Sequence, residues 1–205
     1  MDRRRHRLAT LALAAVAALV VAVVAVRVFP YHSTNHDEAV YLQQAAMLLD
    51  GRLALHPPVV DALRPWFFLR DGGALSPKYA PVPAAVFALG VAVGAPRVAL
   101  ALAGGAVVAL TVALATQVFD RSTGLLAGLF LLASPLFVVD SAVFLPYVPT
   151  LLFELVFAVA YVRAAHVADR EGGHETSERG AARPASRVAD REGGHETSER
   201  GAARP

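Results

Sequence analysis

The sequence predicts an all-α polytopic membrane protein with about four transmembrane helices. Two observations carry that expectation. Apolar residues make up 56% of the 205 residues and lift the mean hydropathy to +0.48. They are also gathered into long unbroken runs with the arginines at the run ends, whereas a soluble helix of that length would carry a polar face.

The first run, Leu8 to Val26, has Thr10 as its one polar side chain and is long enough, at ~1.5 Å per residue, to cross a hydrocarbon core of ~30 Å. Its basic flank, Arg3, Arg4, Arg5 and Arg7, resembles that of a secretory signal, but the run exceeds the roughly 7–15 residues of a signal h-region. No small-x-small cleavage site follows Val26, so we read an uncleaved first span over about 8–29.

Later runs, Val98 to Phe119, Gly124 to Val139 and Val143 to Val162, give spans at about 98–119, 122–140 and 143–163. A shorter run, Pro81 to Ala95, opens with Pro81 and Pro83. If it spanned, every later segment would invert. Basic residues concentrate on the cytoplasmic side of short loops. Laying 81–95 in the outer interface puts the N-terminal arginines, Arg121 and Arg163 inside, and Asp37, Glu38 and Asp140 outside. The expected order is a cytoplasmic N-terminus, a first span, an outer loop over 30–97, three more spans and a cytoplasmic tail in the cell membrane.

Within the outer loop, Asn35 or Asp37 can cap a helix at about 37–50 that stops at Gly51. Leu42, Ala45, Ala46 and Leu49 recur at helical spacing, which suits a helix lying in the membrane interface. In the tail, residues 167–184 recur unchanged as 188–205. With almost no large apolar side chains, the 167–205 segment is expected to be disordered, its His174 and His195 solvated.

Several function classes are excluded early. The chain has no cysteine, hence no disulfide, thiolate ligand or thiol nucleophile. Its formal charge is only +2, and the arginines sit at span ends and in the tail, so no nucleic-acid partner is expected.

Chemistry is expected from the outer loop. Asp37 and Glu38 stand together at a helix N-terminus, where the macrodipole stabilises carboxylates, so a plain capping role is one reading. Around them are N-H-D-E-A-V-Y-L, the triplet His56-Pro57-Pro58, S-P-K-Y-A-P-V-P and A-P-R-V-A-L-A-L. This arrangement, over about Arg27 to Arg163, resembles the N-terminal part of the GT-C glycosyltransferases that use polyprenyl-phosphate sugars, with protein O-mannosyltransferases and aminoarabinose transferases the nearest in pattern.

That resemblance implies jaw-type interfacial helices in the first outer loop and transfer of a sugar from a polyprenyl or dolichyl phosphate to a protein or glycolipid acceptor outside the cell. It implies that Asp37 acts as general base and that Glu38 orients the acceptor or a bound divalent cation, the one cofactor that the resemblance raises. Lys78, the sole lysine, would meet the lipid phosphate beside Tyr79, with Arg64 or Arg70 as substitutes. Asp140 would reach the cavity from the next outer loop, although the family's acid sits nearer the following proline, here Pro146. Such enzymes have more spans, so a shortened or inactive copy, or a partner chain supplying the missing spans, is part of this expectation.

Other readings stay open. A non-catalytic membrane scaffold or assembly subunit would need Asp37 and Glu38 only as helix caps. His32 and His36, four apart, would make a metal pair only on a helix, which Pro30 and the Ser33-Thr34-Asn35 run oppose, so no metal is expected there. Glu154, deep in the last span, is either hydrogen-bonded to a neighbouring helix or the ion relay of a transporter.

Overall fold

A computed structural model describes residues 2–60, 62 and 65–181. Its elements are α1 (Arg3–Arg27), α2 (Asp37–Leu49), β1 (Phe68–Asp71), β2 (Ala74–Pro77), α3 (Pro81–Ala92), α4 (Pro96–Val118), α5 (Arg121–Leu132), α6 (Pro135–Ser141) and α7 (Tyr147–Ala181). The chain divides into two units, residues 1–163 and 164–205. Of the second, the described residues 164–181 are helical.

The protein is an all-α polytopic membrane protein. Among the described residues three helices are long and apolar enough to cross a bilayer, Arg3–Arg27, Pro96–Val118 and Tyr147–Ala168, and there are four if the bent pair α5 and α6 counts as one span. α1, with 25 residues, is roughly 37 Å long and α4, with 23, roughly 35 Å, both beyond the ~30 Å core. α3 has only 12 residues, roughly 18 Å, shorter than that core.

The spans pack through small residues. A Cβ on Gly105 would meet the Ala14 carbonyl oxygen at 2.8 Å, and one on Gly104 would meet Val21 Cγ2 at 2.9 Å, so α1 and α4 approach almost backbone to backbone. Gly124 and Gly128 serve α5 in the same way against Thr116 and Val112 of α4 and Leu13 of α1.

The expected span at 122–140 consists of two helices, α5 and α6. α5 and α6 meet at 69° around Ala133 and Ser134. Pro135, at the first turn of α6, cannot donate a helical N–H and forces Ser134 out of the helical region, to φ −76° and ψ 116°. Ser134 Oγ then accepts from Phe137 N at 3.5 Å and opens the new helix. The bent pair still goes from one end of the bundle to the other. α5 begins beside Thr116, whereas Ala142 and Phe144, just after α6, pack with Val21 and Ala25 near the end of α1.

The segment between α1 and α4 leaves and returns at one end of the bundle, here called the Ala25 end. Arg97, opening α4, donates from Nε to the carbonyl of Ala25 at 3.1 Å, and from one terminal nitrogen to those of Phe29 at 3.1 Å and Pro30 at 2.6 Å. Carbonyls at a helix C-terminus lack intrahelical partners, and a cation there is doubly suited to them. α3 packs Ala84, Phe87 and Ala88 against Val21, Ala25, Tyr41, Ala45 and Leu100. A hairpin absent from the sequence expectation lies between α2 and α3. β1 and β2 pair antiparallel around Gly72 (φ 51°) and Gly73 (φ 101°), values open to glycine, and Phe68 and Leu75 bury against Val40 and Met47.

The tail expectation changes in part. Helix runs on to Ala181, into the repeat expected to be disordered from 167. A membrane helix already supplies the nucleus, and Ala, Glu and Arg extend it readily. Residues 182–205 lie outside the described residues.

Candidate functional site

The Ala25 end carries most of the polar side chains predicted to do chemistry. After α1 the chain turns through Pro30 and His32, the latter in the left-handed region at φ 72°, and reaches the start of α2. Asn35 Oδ1 accepts from Asp37 N at 3.0 Å, and the Asn35 carbonyl from Glu38 N at 3.3 Å, a turn that leads into α2.

Adjacent in sequence, the two acids have opposite surroundings. Glu38 is 2% exposed. One of its oxygens accepts from Ser33 N at 2.7 Å and from Ser33 Oγ, and the other from Phe144 N at 2.9 Å. Both oxygens are thus committed within the chain, which leaves Glu38 no face toward an acceptor or cation. It ties the head of α2 to the connection between α6 and α7.

Asp37 is half-buried and accessible. Its Oδ1 accepts from the Tyr79 hydroxyl at 2.8 Å, while Oδ2 has no partner among the described residues. Tyr79 is held from both sides, stacking on Tyr41 with ring centroids 5.1 Å apart and accepting at its carbonyl from Gln44 Nε2 at 3.1 Å. Burial pushes the Tyr79 phenol up to about 12, and the Asp37 carboxylate adds to the rise as hydrogen-bond acceptor and as a nearby negative charge. Burial likewise raises Tyr41, with Asp37 contributing. At neutral pH Tyr79 therefore stays protonated and donates, fixing the rotamer of Asp37 and leaving Oδ2 as its open acceptor.

Lys78 is exposed, its Nζ 5.5 Å from the Phe67 ring centroid and 5.8 Å from that of Tyr79. The two ring faces hold the ammonium beside the Asp37–Tyr79 pair by cation–π attraction. Asp140 lies half-buried on α6 toward the same end and is not hydrogen-bonded to this group among the described residues. Arg64 falls outside the described residues, and Arg70 is exposed on β1. His36 stacks on Trp66 at 5.3 Å and His32 faces Phe144 at 5.9 Å, and no group of three metal-ligating side chains occurs among the described residues.

The site thus brings Asp37, Tyr79 and Lys78 together, while Glu38 is buried with both oxygens hydrogen-bonded within the chain. Tyr41, Gln44 and Ser33, which position those residues, gave no sequence signal of their own, although Tyr41 lies four residues after Asp37 and so one helical turn away. Fold and site together define a polytopic helical membrane protein with a carboxylate, a phenol and an ammonium gathered at one end of its bundle. No family model, curated protein or solved structure matches the chain.

Proposed function

We propose that this protein is a membrane glycosyltransferase of the GT-C type, transferring a sugar from a polyprenyl or dolichyl phosphate to an acceptor hydroxyl or amine on the outer face of the cell membrane. The observation that carries the reading is the Asp37–Tyr79 pair, with one carboxylate oxygen fixed and the other open, next to the lone lysine. A sugar on a lipid phosphate already has a good leaving group. The protein must take a proton from the acceptor as it attacks the anomeric carbon and balance the charge on the departing phosphate. Asp37 Oδ2 performs the first task and Lys78 the second. A long polyprenyl chain lies in the bilayer, so a site beside the apolar helices α1, α3 and α4 is suitably placed. Glu38, assigned to the acceptor by resemblance, holds α2 in place in this reading.

Arginine placement supports a cytoplasmic N-terminus, with the Ala25 end outside. A cysteine at Asp71 should then react with an impermeant thiol reagent added to intact cells, and protection there would reverse the orientation. For activity, the reconstituted chain is given radiolabelled polyprenyl-phosphate hexoses and pentoses with candidate acceptors. Asp37→Asn should slow release of the polyprenyl phosphate by about 100-fold or more, the scale of a lost general base, with insertion and yield unchanged. Transfer by that variant at the wild-type rate would sink the assignment.

The second reading, an assembly subunit without catalysis, is favoured by the uncovered polar residues of α7, whose membrane span is only 6% buried against 50% for α4. In that case Asp37→Asn alters neither transfer nor assembly.

A further inference from the structure

α7 presents two faces of different character. Val148, Leu152, Leu155 and Val159 lie on one side, three of them packed against the cluster of Ala17, Ala103 and Val107 and the fourth, Val159, also buried. On the opposite side Tyr147, Thr150, Glu154, Phe157 and Tyr161 are all exposed, the rings of Phe157 and Tyr161 stacking on each other at 6.2 Å. Phe153, Val156 and Ala160 are exposed as well, and within this broad face Tyr147, Thr150, Glu154, Phe157 and Tyr161 alternate at three and four residues, the spacing of the seam of a left-handed helix pair.

The uncovered face of α1 is a useful control. It exposes Leu8, Leu11, Val16, Leu19, Val23 and Val26, for which lipid is a sufficient neighbour. Lipid does not serve the α7 seam. Glu154 lies about two turns into the span, without a hydrogen-bond or ion-pair partner among the described residues. A carboxyl group facing acyl chains is costly, and such groups pair with one another or with donors on a neighbouring helix.

We propose that the α7 seam binds the α7 seam of a second copy of this chain, in parallel, about a two-fold axis. A two-fold axis brings each residue of the seam to its own image, so the partner must be compatible with itself. This seam is. The two Glu154 carboxyl groups meet and hydrogen-bond, one donating and one accepting. Thr150 meets Thr150, whose hydroxyl both donates and accepts, and the paired rings of Phe157 and Tyr161 meet their images. The seam lies on the side of α7 turned away from the packed cluster, so the pairing leaves the packing of α7 on α1 and α4 untouched.

Because the chain has no cysteine, single cysteines report on the seam without background. Full-length chain carrying Thr150→Cys, Phe157→Cys or the off-seam Val156→Cys is reconstituted at high lipid-to-protein ratio and oxidised. Disulfide-linked dimer should form at least 5-fold faster at positions 150 and 157 than at 156. Adding Glu154→Leu should cut that rate 5-fold or more, whereas Glu154→Gln, whose amide can donate and accept, should keep it. Gel filtration confirms that each variant is folded, and the glutamine variant keeps the test decisive if the leucine variant aggregates. Faster linkage at 156, no linkage at any position, or full linkage with Glu154→Leu overturns the proposal. Seam cysteines that are protected in native membranes yet never link in the pure chain overturn it too, in favour of a different partner helix.

Discussion

Among the described residues two carboxylates, one at each end of the bundle, each accept from two backbone N–H groups, and they do different work. Asp120, between α4 and α5, takes Ser122 N at 2.7 Å and Thr123 N at 3.0 Å, all within one turn. Glu38, at the Ala25 end, takes Ser33 N from its own turn but Phe144 N across a separation of 106 residues. Asp120 is exposed and Glu38 is 2% exposed. The local cap joins two antiparallel spans by a tight turn. The buried clasp gathers α2, α3 and the connection before α7 around Asp37. The same bond type is worth little where water can replace it and much where water cannot reach.

The largest expected effect therefore belongs to Glu38. Glu38→Ala leaves the N–H groups of Ser33 and Phe144 without partners and should destabilise the fold by about 4 kcal/mol in denaturant unfolding of the detergent-solubilised chain. It should also open Val143→Cys to thiol labelling. A loss below about 1 kcal/mol would erase the contrast with Asp120. The next effect is in pH. Folding favours the neutral Tyr79 phenol, so its contribution is intact below the unfolded value of 10.0 and is lost as pH rises towards about 12. The wild-type chain should lose stability across that window, and Tyr79→Phe should lose less, the remainder coming from Tyr41. Equal loss in both would mean that folding does not raise the Tyr79 phenol.

Asp120→Ala should give the smallest change. Hydrogen bonds from Thr123 and Ser122 hold the Asp120 carboxyl below its ordinary range, so its contribution is present above that range and disappears on acidification through the lowered value. The variant should differ slightly from wild type at pH 7 and not at all in strong acid, by thermal unfolding.

Sequence patterning made the spans legible because a bilayer demands length and apolarity and little else, and α1 and α4 meet both demands without tertiary help. The short α3 was legible in length from Pro81, Pro83 and the run that follows them. The 69° break in the third crossing was signalled only by Ser134-Pro135, a pair that long apolar runs tolerate when neighbouring groups re-satisfy the backbone. The hairpin rests on Asp71-Gly72-Gly73, a turn signal without the long alternating strands that would have announced it. At the candidate site, adjacency suggested that Asp37 and Glu38 share a task. Consecutive helical residues point about 100° apart, and that rotation sends Glu38 to Phe144 and Asp37 to Tyr79.

Arg97 gives the assembly an order in time. Its guanidinium reaches back across 72 residues to the Ala25 carbonyl, and across 68 and 67 to those of Phe29 and Pro30. While the chain is being synthesised, α1 enters the membrane first and its terminal carbonyls are left to water or lipid headgroups. Only after the entire segment with α2, the hairpin and α3 has emerged can α4 insert and Arg97 close the loop. Closing so long a loop costs only about 0.6 kcal/mol more than closing one half its length, so a late latch is inexpensive. The contacts of Arg97 thus join two helix ends at the Ala25 end that are separated in sequence by the whole of α2, the hairpin and α3.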